Sequence, residues 1–255
     1  MPASLVYRDL LTLMTDTMNR MIIFMALLPV AIFLYYVFNK DRKSPEPPGQ
    51  LLKAFMFGVL SVLLSFCMSI PFGLMGLYPE SATTVWGAVR TAFWGAAIPE
   101  EVAKLFCLWL VLRKNSYFDE KMDGIVYAAC VSLGFAALEN IFYLFSNTEI
   151  FMSVGIVRAL FAIPGHLFYG IMMGYYYSLA KFYPAASAKN RILVLLSPIL
   201  AHGIYDSILM SMSSVSPVMV LVLVVLFLLF CFKMWRYGSA RIEELLRKDA
   251  DVDAA

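Results

Sequence analysis

Seven stretches of this chain are apolar over roughly the 20 residues that a helix needs to cross the hydrocarbon core of a bilayer. Inside the membrane the backbone has no water to bond, so each stretch is expected to form a helix. Hydrophobic residues make up 61% of the chain, more than in a typical soluble domain. These features predict an all-α, polytopic integral membrane helix bundle with about seven transmembrane helices. The candidate spans are Met21–Phe38, Leu51–Pro71, Val85–Leu112, Gly124–Phe145, Met152–Ala180, Ile192–Met212 and Pro217–Phe232.

Two of these candidates are longer than one span requires. Val85–Leu112 is expected to begin as an interfacial or re-entrant piece, with the span itself near Ala92–Leu112. Met152–Ala180 is expected to tilt or to kink at Pro164, because a helical proline removes a backbone hydrogen bond.

Basic residues predict the orientation of the bundle, because cytosolic loops carry an excess of Lys and Arg. Four clusters fall on one side of the seven-helix arrangement, and Arg8, Arg20 and Arg90 are assigned to the other side. The N-terminus is therefore predicted to lie outside and the C-terminus in the cytosol. The clusters are Lys40, Arg42, Lys43 and Lys53; Arg113, Lys114 and Lys121; Lys181, Lys189 and Arg191; and the tail from Lys233 to Lys248.

The chain is expected to form a single transmembrane domain, residues 1–238, followed by a charged cytosolic tail, residues 239–255. The tail predicts either a solvated anchor or a short amphipathic helix on the cytosolic surface. The first apolar run lacks a small-residue cleavage site and is not expected to be a signal peptide. The four cysteines have no paired spacing, which indicates neither a disulfide framework nor a zinc ribbon. No patch is typical of nucleic-acid binding, and a multi-pass protein of the cell membrane is expected.

Both histidines of the chain lie inside these apolar spans, together with four acids and a lysine. Such groups are costly in hydrocarbon and usually face one another or a water-filled cavity. Counted at 1.5 Å per residue from the nearest cytosolic charge, three of the acids and both histidines lie at roughly 16–24 Å. This agreement predicts one polar layer in the outer half of the bilayer. The seven are Glu100, Glu101, Lys104, Glu139, His166, His202 and Asp206.

Prolines lie one, two and four residues before three of these positions: Pro99 before Glu100, Pro164 before His166 and Pro198 before His202. Kinks are tolerated in membrane helices where water or other groups satisfy the freed backbone, so this pattern favours a hydrated pocket. The alternative is that proline is simply frequent in membrane helices.

The third span contains Glu100, Glu101 and Lys104. Adjacent helical residues point about 100° apart, so one carboxylate is expected to face the pocket while the other pairs with Lys104. A carboxylate in the pocket suits a general base for water. The alternative is a structural ion pair between helices.

The fourth span carries Phe135, Glu139 and Asn140. Phe135 and Glu139 share one helix face. Glu139 is a candidate metal ligand, a group that orients a histidine, or a group that holds a second water. The alternative is a hydrogen bond that packs two helices.

The histidines begin the last two motifs. His166 is followed by Gly170 and Gly174, whose spacing is an ordinary helix-packing motif. His202 and Asp206 lie on one helix face, where the carboxylate can set the tautomer of the imidazole. Two tyrosines are candidate oxyanion donors without specific support, namely Tyr127 and Tyr205.

Together these four signatures resemble the PrsW family of bacterial intramembrane proteases. The family pattern is EExxK, FxxxEN, HxxxG and HxxxD on consecutive helices, and this chain matches every motif position. The stretch from Asp41 to Pro47 and the pair Asp123–Gly124 also match. The resemblance extends over roughly Lys40 to Phe232, and the wider superfamily includes the type II CAAX prenyl endopeptidases.

The resemblance implies an intramembrane endopeptidase that hydrolyses a peptide bond of membrane-anchored, single-span proteins. For biology it implies a first cut in a membrane-anchored anti-sigma factor. One glutamate of the pair is expected to activate water, and the histidines to polarise it or to stabilise the oxyanion. The candidate catalytic residues are Glu100, Glu101, His166 and His202. The candidate supporting residues are Lys104, Glu139, Asn140 and Asp206.

A metal is a second option for the same residues. Imidazoles and carboxylates suit zinc with one position open for water. The candidate ligands are Glu139, His166, His202 and Asp206, although a glutamate–histidine mechanism without metal is preferred here.

Two other functions compete with proteolysis. Buried acids, histidines and lysine also build the relays of proton- or cation-coupled transporters, whose inverted repeats are not recognisable in this sequence. The other competitor is a non-catalytic membrane assembly factor with a decayed site.

Overall fold

The structure, a computed structural model, describes the backbone of residues 3–253 and the side chains of residues 15–251. The side chain of Arg8 and the last tail residues, 254–255, lie outside the described residues. Within those residues the fold is helical and contains no β-strand. The α-helices are α1 Ala3–Lys40, α2 Pro48–Leu74, α3 Val85–Arg90, α4 Ile98–Leu112, α5 Lys121–Ser146, α6 Phe151–Val157, α7 Ile163–Phe182, α8 Ser187–Ser211 and α9 Pro217–Asp253.

Six helical segments of the described chain are long and apolar enough to cross a bilayer: α1, α2, α5, α6 with α7, α8 and α9. A further helical segment, which carries Glu100, Glu101 and Lys104, runs without interruption from α3 through a π-helical turn into α4. It begins at Val85, where the Thr84 side chain accepts a hydrogen bond from the Gly87 N–H at 3.0 Å. The prediction of a roughly seven-helix membrane bundle is confirmed. Residues Val85–Arg90, expected to be interfacial or re-entrant, are regular helix that continues into the span.

Two π-helical turns interrupt the α-helices, and each ends two residues before a proline. Thr91–Ala97 precedes Pro99, and Arg158–Ala162 precedes Pro164. Proline lacks an N–H and crowds the carbonyl four residues earlier, and a wider turn relieves that contact. The irregularity expected at Pro164 therefore lies one turn earlier. By contrast, α8 runs through Pro198 as regular α-helix.

The central helix of the bundle is α5. Of its apolar window, 78% is buried, against 11–33% for the other spans. Glycines let neighbouring helices approach it closely. A Cβ at Gly58 of α2 would lie 2.0 Å from the Val131 carbonyl oxygen, and one at Gly174 of α7 would lie 2.2 Å from that of Gly124. The pair Gly170 and Gly174 therefore packs α7 on α5.

Of the two alternatives for the tail, the structure supports a helix and not a solvated anchor, because α9 continues to Asp253 and packs against the bundle. Ile242 and Leu245 are buried. The Asp249 carboxylate accepts a hydrogen bond from the backbone N–H of Lys121 at 3.0 Å. This contact places the tail beside the other basic clusters at one end of the bundle. That this end is cytosolic remains a prediction.

Candidate active site

A cavity of about 580 Å³ lies among α4 to α9 and collects the polar groups singled out in the sequence. Four separate helices contribute them, so side chains far apart in the chain meet in one space. The two imidazole rings are 5.6 Å apart, centroid to centroid. Five predicted site residues line the cavity: Glu100, Glu139, His166, His202 and Asp206.

The two adjacent glutamates of α4 occupy different environments. Glu100 lines the cavity, and 13% of its side chain is exposed. Glu101 is fully buried behind it. The Lys104 ammonium lies 2.8 Å from Glu101 Oε1 and 3.4 Å from Glu100 Oε2, and 4.0 Å above the Phe135 ring. One acid therefore faces the cavity while the other forms the shorter pair with Lys104.

Both ring nitrogens of His202 face carboxylates. Nδ1 lies 2.9 Å from Glu101 Oε1, while Nε2 lies 3.3 Å from Asp206 Oδ2 and 3.9 Å from Glu100 Oε2. The ring stacks on Tyr169 at 4.6 Å between centroids. An imidazolium satisfies this arrangement, because both of its nitrogens donate.

His166 lies between an ammonium and a carboxylate. Its Nδ1 is 3.2 Å from Lys104 Nζ, and its Nε2 is 3.0 Å from Glu139 Oε2. When the ammonium donates to Nδ1, the ring proton must be on Nε2, which then donates to Glu139. Lys104 thus contacts both the glutamate pair and a histidine.

Arg158 is a residue of this site that the sequence reasoning missed. Its guanidinium donates to Glu139 Oε2 at 2.5 Å and to Asn140 Oδ1 at 2.7 Å, and it lies 3.9 Å from the Tyr143 ring centroid. The missed signal was an arginine inside a predicted span, far from any cytosolic cluster. An intramembrane cation at that depth calls for an acidic partner.

Three predicted supporting or catalytic residues lie outside the cavity lining: Glu101, Lys104 and Asn140. Asn140 is buried, and its amide donates to the Ala26 carbonyl of α1 at 2.9 Å. It therefore anchors Arg158 to the bundle.

Of the two candidate oxyanion tyrosines, Tyr205 lines the cavity and Tyr127 does not. The Tyr127 hydroxyl donates to Glu46, near the opposite end of α5. Tyr127 precedes Glu139 by twelve residues, or roughly 18 Å along the helix. The assignment of Tyr127 to the site is wrong.

The donors around the cavity fit a divalent cation such as zinc, which takes imidazole nitrogen and carboxylate oxygen. Two sets of three residues hold ligand atoms within 4.8 Å of one another. Both include Glu100, which was not among the ligands expected from the sequence, and neither includes Asp206. The sets are Glu100, Glu139 and His166, and Glu100, Glu101 and His202.

A family model and individual relatives of known name indicate the same family for this chain. The model of the PrsW family, described as intramembrane metalloproteases, matches residues 46–232. Protease PrsW of Clostridioides difficile is 32% identical over 234 residues, which cover 89% of this chain and 92% of that protein. Protease PrsW of Oceanobacillus iheyensis is 34% identical over 218 residues, covering 84% of this chain and 94% of the relative.

Protease PrsW of Bacillus subtilis is 37% identical over 187 residues, covering 73% of this chain and 81% of the relative. No solved structure matches the chain. The matched residues contain all four motifs and both π-helical turns. This chain therefore belongs to the PrsW family of intramembrane proteases, multi-pass peptidases of the cell membrane.

Proposed function

We propose that this chain cleaves membrane-anchored, single-span proteins by activating a water molecule with Glu100. The observation that carries this proposal is the position of Glu100. Of the two adjacent acids, it is the one that lines the cavity, 3.9 Å from His202 Nε2. A general base must reach the water that it deprotonates, and the buried Glu101 lies outside the lining.

In the proposed reaction Glu100 accepts one proton and later returns it. The carboxylate takes a proton from water, and the water oxygen attacks the carbonyl carbon of the scissile peptide bond. The electron pair of the carbonyl moves to its oxygen and forms a tetrahedral oxyanion. When the oxyanion collapses, the C–N bond breaks, and Glu100 returns the proton to the leaving nitrogen.

His202 supplies the positive charge for this reaction, and His166 positions an acid of the cavity. An imidazolium at His202, held between Glu101 and Asp206, stabilises the oxyanion at the moment its charge develops. His166 donates toward Glu139, which Arg158 holds in place. These contacts position the acids and rings before substrate arrives, so little reorganisation is needed during the reaction.

A zinc ion, where bound, would be held by Glu100, Glu139 and His166, and would act as a Lewis acid on water or on the carbonyl oxygen. The proposed cycle assigns no step to it. In this cycle the chain's own groups serve as base, electrophile and acid.

The depth of the site predicts where the substrate is cut. The cavity residues lie roughly 16–24 Å from the cytosolic end of their helices, in the outer half of a core about 30 Å thick. We therefore infer cleavage near the external juxtamembrane segment of a substrate. The candidate substrate to test first is a membrane-anchored anti-sigma factor. A transporter is not favoured, because the family and the relatives are proteases.

The test is reconstitution of the purified full-length protein in liposomes with a panel of single-span proteins. The wild type is compared with Glu100→Gln and His202→Ala, and with Glu149→Gln as the matched control, an exposed acid outside the cavity. Cleavage is expected from the wild type and the control and to be lost in the two site variants. Mass spectrometry of the product termini locates the cut. Full cleavage by Glu100→Gln would refute Glu100 as the general base. A cut on the cytosolic side of the substrate would refute the inferred depth of the site.

The non-catalytic assembly factor makes the opposite prediction in cells. If it is correct, replacing His166 and His202 together leaves the phenotype of the wild type. Proteolysis requires that the double variant behaves like a deletion.

A further inference from the structure

A second large cavity lies at the end of the bundle that carries the basic clusters. Its volume is about 940 Å³, and it runs between α4 and α8 with the end of α7 as its third wall. It shares no lining residue with the active-site cavity. It extends along α4 from Arg113 to Val102, which lies near Glu100 in the chain but does not line the active-site cavity. It is therefore a separate cavity.

Four cations line this groove: Arg113, Lys114, Lys181 and Arg191. No Asp or Glu lines it, and none of the four forms an ion pair with a carboxylate among the described residues. Lys181 is fixed by donation to the Phe118 carbonyl and lies 3.6 Å from the Phe118 ring centroid. The groove thus concentrates positive charge with no carboxylate in direct contact.

Below these cations the walls are apolar and face the membrane. Leu105, Phe106 and Trp109 of α4 oppose Val194 of α8. Phe106 and Trp109 are half exposed and stack at 6.0 Å between centroids, while Arg113 lies 5.0 Å above the Trp109 ring. Trp and Arg together are typical of the headgroup level of a bilayer, and the carbon stem of a basic side chain reaches along apolar surface to that level.

We propose that this groove binds one anionic phospholipid. Its phosphate contacts Arg113, Lys114 and Arg191, and its acyl chains lie against Leu105 and Val194. Basic pockets between transmembrane helices on the cytosolic side suit anionic headgroups, and arginine forks match phosphate oxygens. A cavity of this size encloses a small ligand, whereas a complete transmembrane helix about 10 Å across would not be enclosed.

The test measures lipid binding to delipidated full-length protein by native mass spectrometry. Phosphatidylglycerol and phosphatidylcholine with identical acyl chains are titrated in parallel. Phosphatidylglycerol is expected to bind at one site at least about tenfold more tightly. The variant Arg113→Gln/Lys114→Gln/Arg191→Gln is expected to lose that preference. The control Arg42→Gln/Lys43→Gln/Lys233→Gln removes the same charge from the same end outside the groove and is expected to keep it.

A second variant tests the apolar part without changing charge. Leu105→Trp fills the groove and is expected to weaken phosphatidylglycerol binding while the melting temperature of the protein stays unchanged. Equal binding of both lipids, or equal loss in both triple variants, overturns the proposal. Displacement of the lipid by millimolar inorganic phosphate would indicate a free-anion site instead. A photocrosslink from position 105 to a single-span substrate that excess phosphatidylglycerol does not reduce would indicate a substrate entrance instead.

Discussion

The Nδ1 atom of His202 lies 2.9 Å from Oε1 of Glu101, and the same oxygen lies 2.8 Å from the Lys104 ammonium. Glu101 therefore joins α4 to α8 through a fully buried carboxylate. Its neighbour Glu100 lines the cavity instead. Two acids adjacent in sequence have different positions because successive helical residues point about 100° apart.

Substitution of each glutamate by glutamine should separate these positions. Glu100→Gln is expected to lower the rate of peptide hydrolysis by about 10²–10⁴ with the melting temperature unchanged, because a general base is lost. Glu101→Gln is expected to lower the melting temperature in addition to the rate, because the buried Lys104 ammonium loses its closest counter-charge. The expected loss in the free energy of unfolding is about 2 kcal/mol or more. Cleavage assays in liposomes and thermal unfolding measure both effects.

Glu149→Gln is the control for these two variants and should resemble the wild type in both assays. The assignment fails if Glu101→Gln abolishes hydrolysis at an unchanged melting temperature while Glu100→Gln remains active.

Arg158 and Asn140 are expected to act as one unit. The guanidinium donates to Asn140 at 2.7 Å and to Glu139 at 2.5 Å, so loss of either residue frees the cavity carboxylate. Arg158→Lys cannot form both contacts and should lower kcat about tenfold or more. In a double-mutant cycle Asn140→Ala and Arg158→Lys should be strongly non-additive. Additive effects on kcat would contradict the prediction that Arg158 and Asn140 act together. Arg20→Lys, at an exposed arginine, is the control.

The fold was largely predictable, because long apolar runs and clusters of basic residues act through length and charge alone. What could not be predicted were interactions between helices. The charges of the tail from Ser239 left a solvated anchor and a helix as alternatives, and its sequence did not predict that Ile242 and Leu245 are buried against the bundle. The π-helical turns before Pro99 and Pro164 depend on how each helix accommodates its proline, which spacing does not reveal.

The site was partly predictable, because position along a helix can be read from the sequence. The depth of each polar group follows from counting residues, so the meeting of His166 and His202 in one layer was accessible. The rotation of each helix about its own axis does not follow from counting residues. That rotation places Glu101 behind the cavity and the Tyr127 hydroxyl in contact with Glu46. Arg158 was missed because a single charge hardly changes the hydropathy of a long span.

Close packing of α7 on α5 should make Gly174 intolerant of any side chain. A Cβ there would lie 2.2 Å from the Gly124 carbonyl oxygen, and backbone at that position cannot move aside without separating the helices. Gly174→Ala is expected to destabilise the protein by about 1–3 kcal/mol. Gly49→Ala, where the added Cβ meets no atom within 4 Å, should not destabilise it. Equal melting temperatures in detergent for the two variants would contradict this packing.

Asp41, in the loop after α1, should make stability depend on pH. Burial, together with the nearby Glu46 and Glu120 charges, raises its pKa from 3.8 to about 7. Between these values the folded state holds a proton that the unfolded state has released, so stability falls as pH rises from about 4 to 7. Asp41→Asn should therefore stabilise the protein at pH 8 and reduce this decline. Thermal unfolding from pH 4 to 8 measures it, and an unchanged slope in the variant would show that Asp41 is not responsible.

Removal of bound metal tests how the negative charge of the cavity is balanced. Four carboxylates meet two permanent cations, Lys104 and Arg158, so two negative charges remain to be neutralised by protons or by a divalent ion. If protons supply the balance, protein treated with chelator and shown by mass spectrometry to be free of zinc should keep its proteolytic rate. Zinc bound at one equivalent, and lost together with activity in Glu139→Ala but not in Glu149→Ala, would instead make the carboxylates metal ligands. Because Glu100 belongs to both ligand sets, that result would also remove it as the base and leave the proposed proton cycle without its first step.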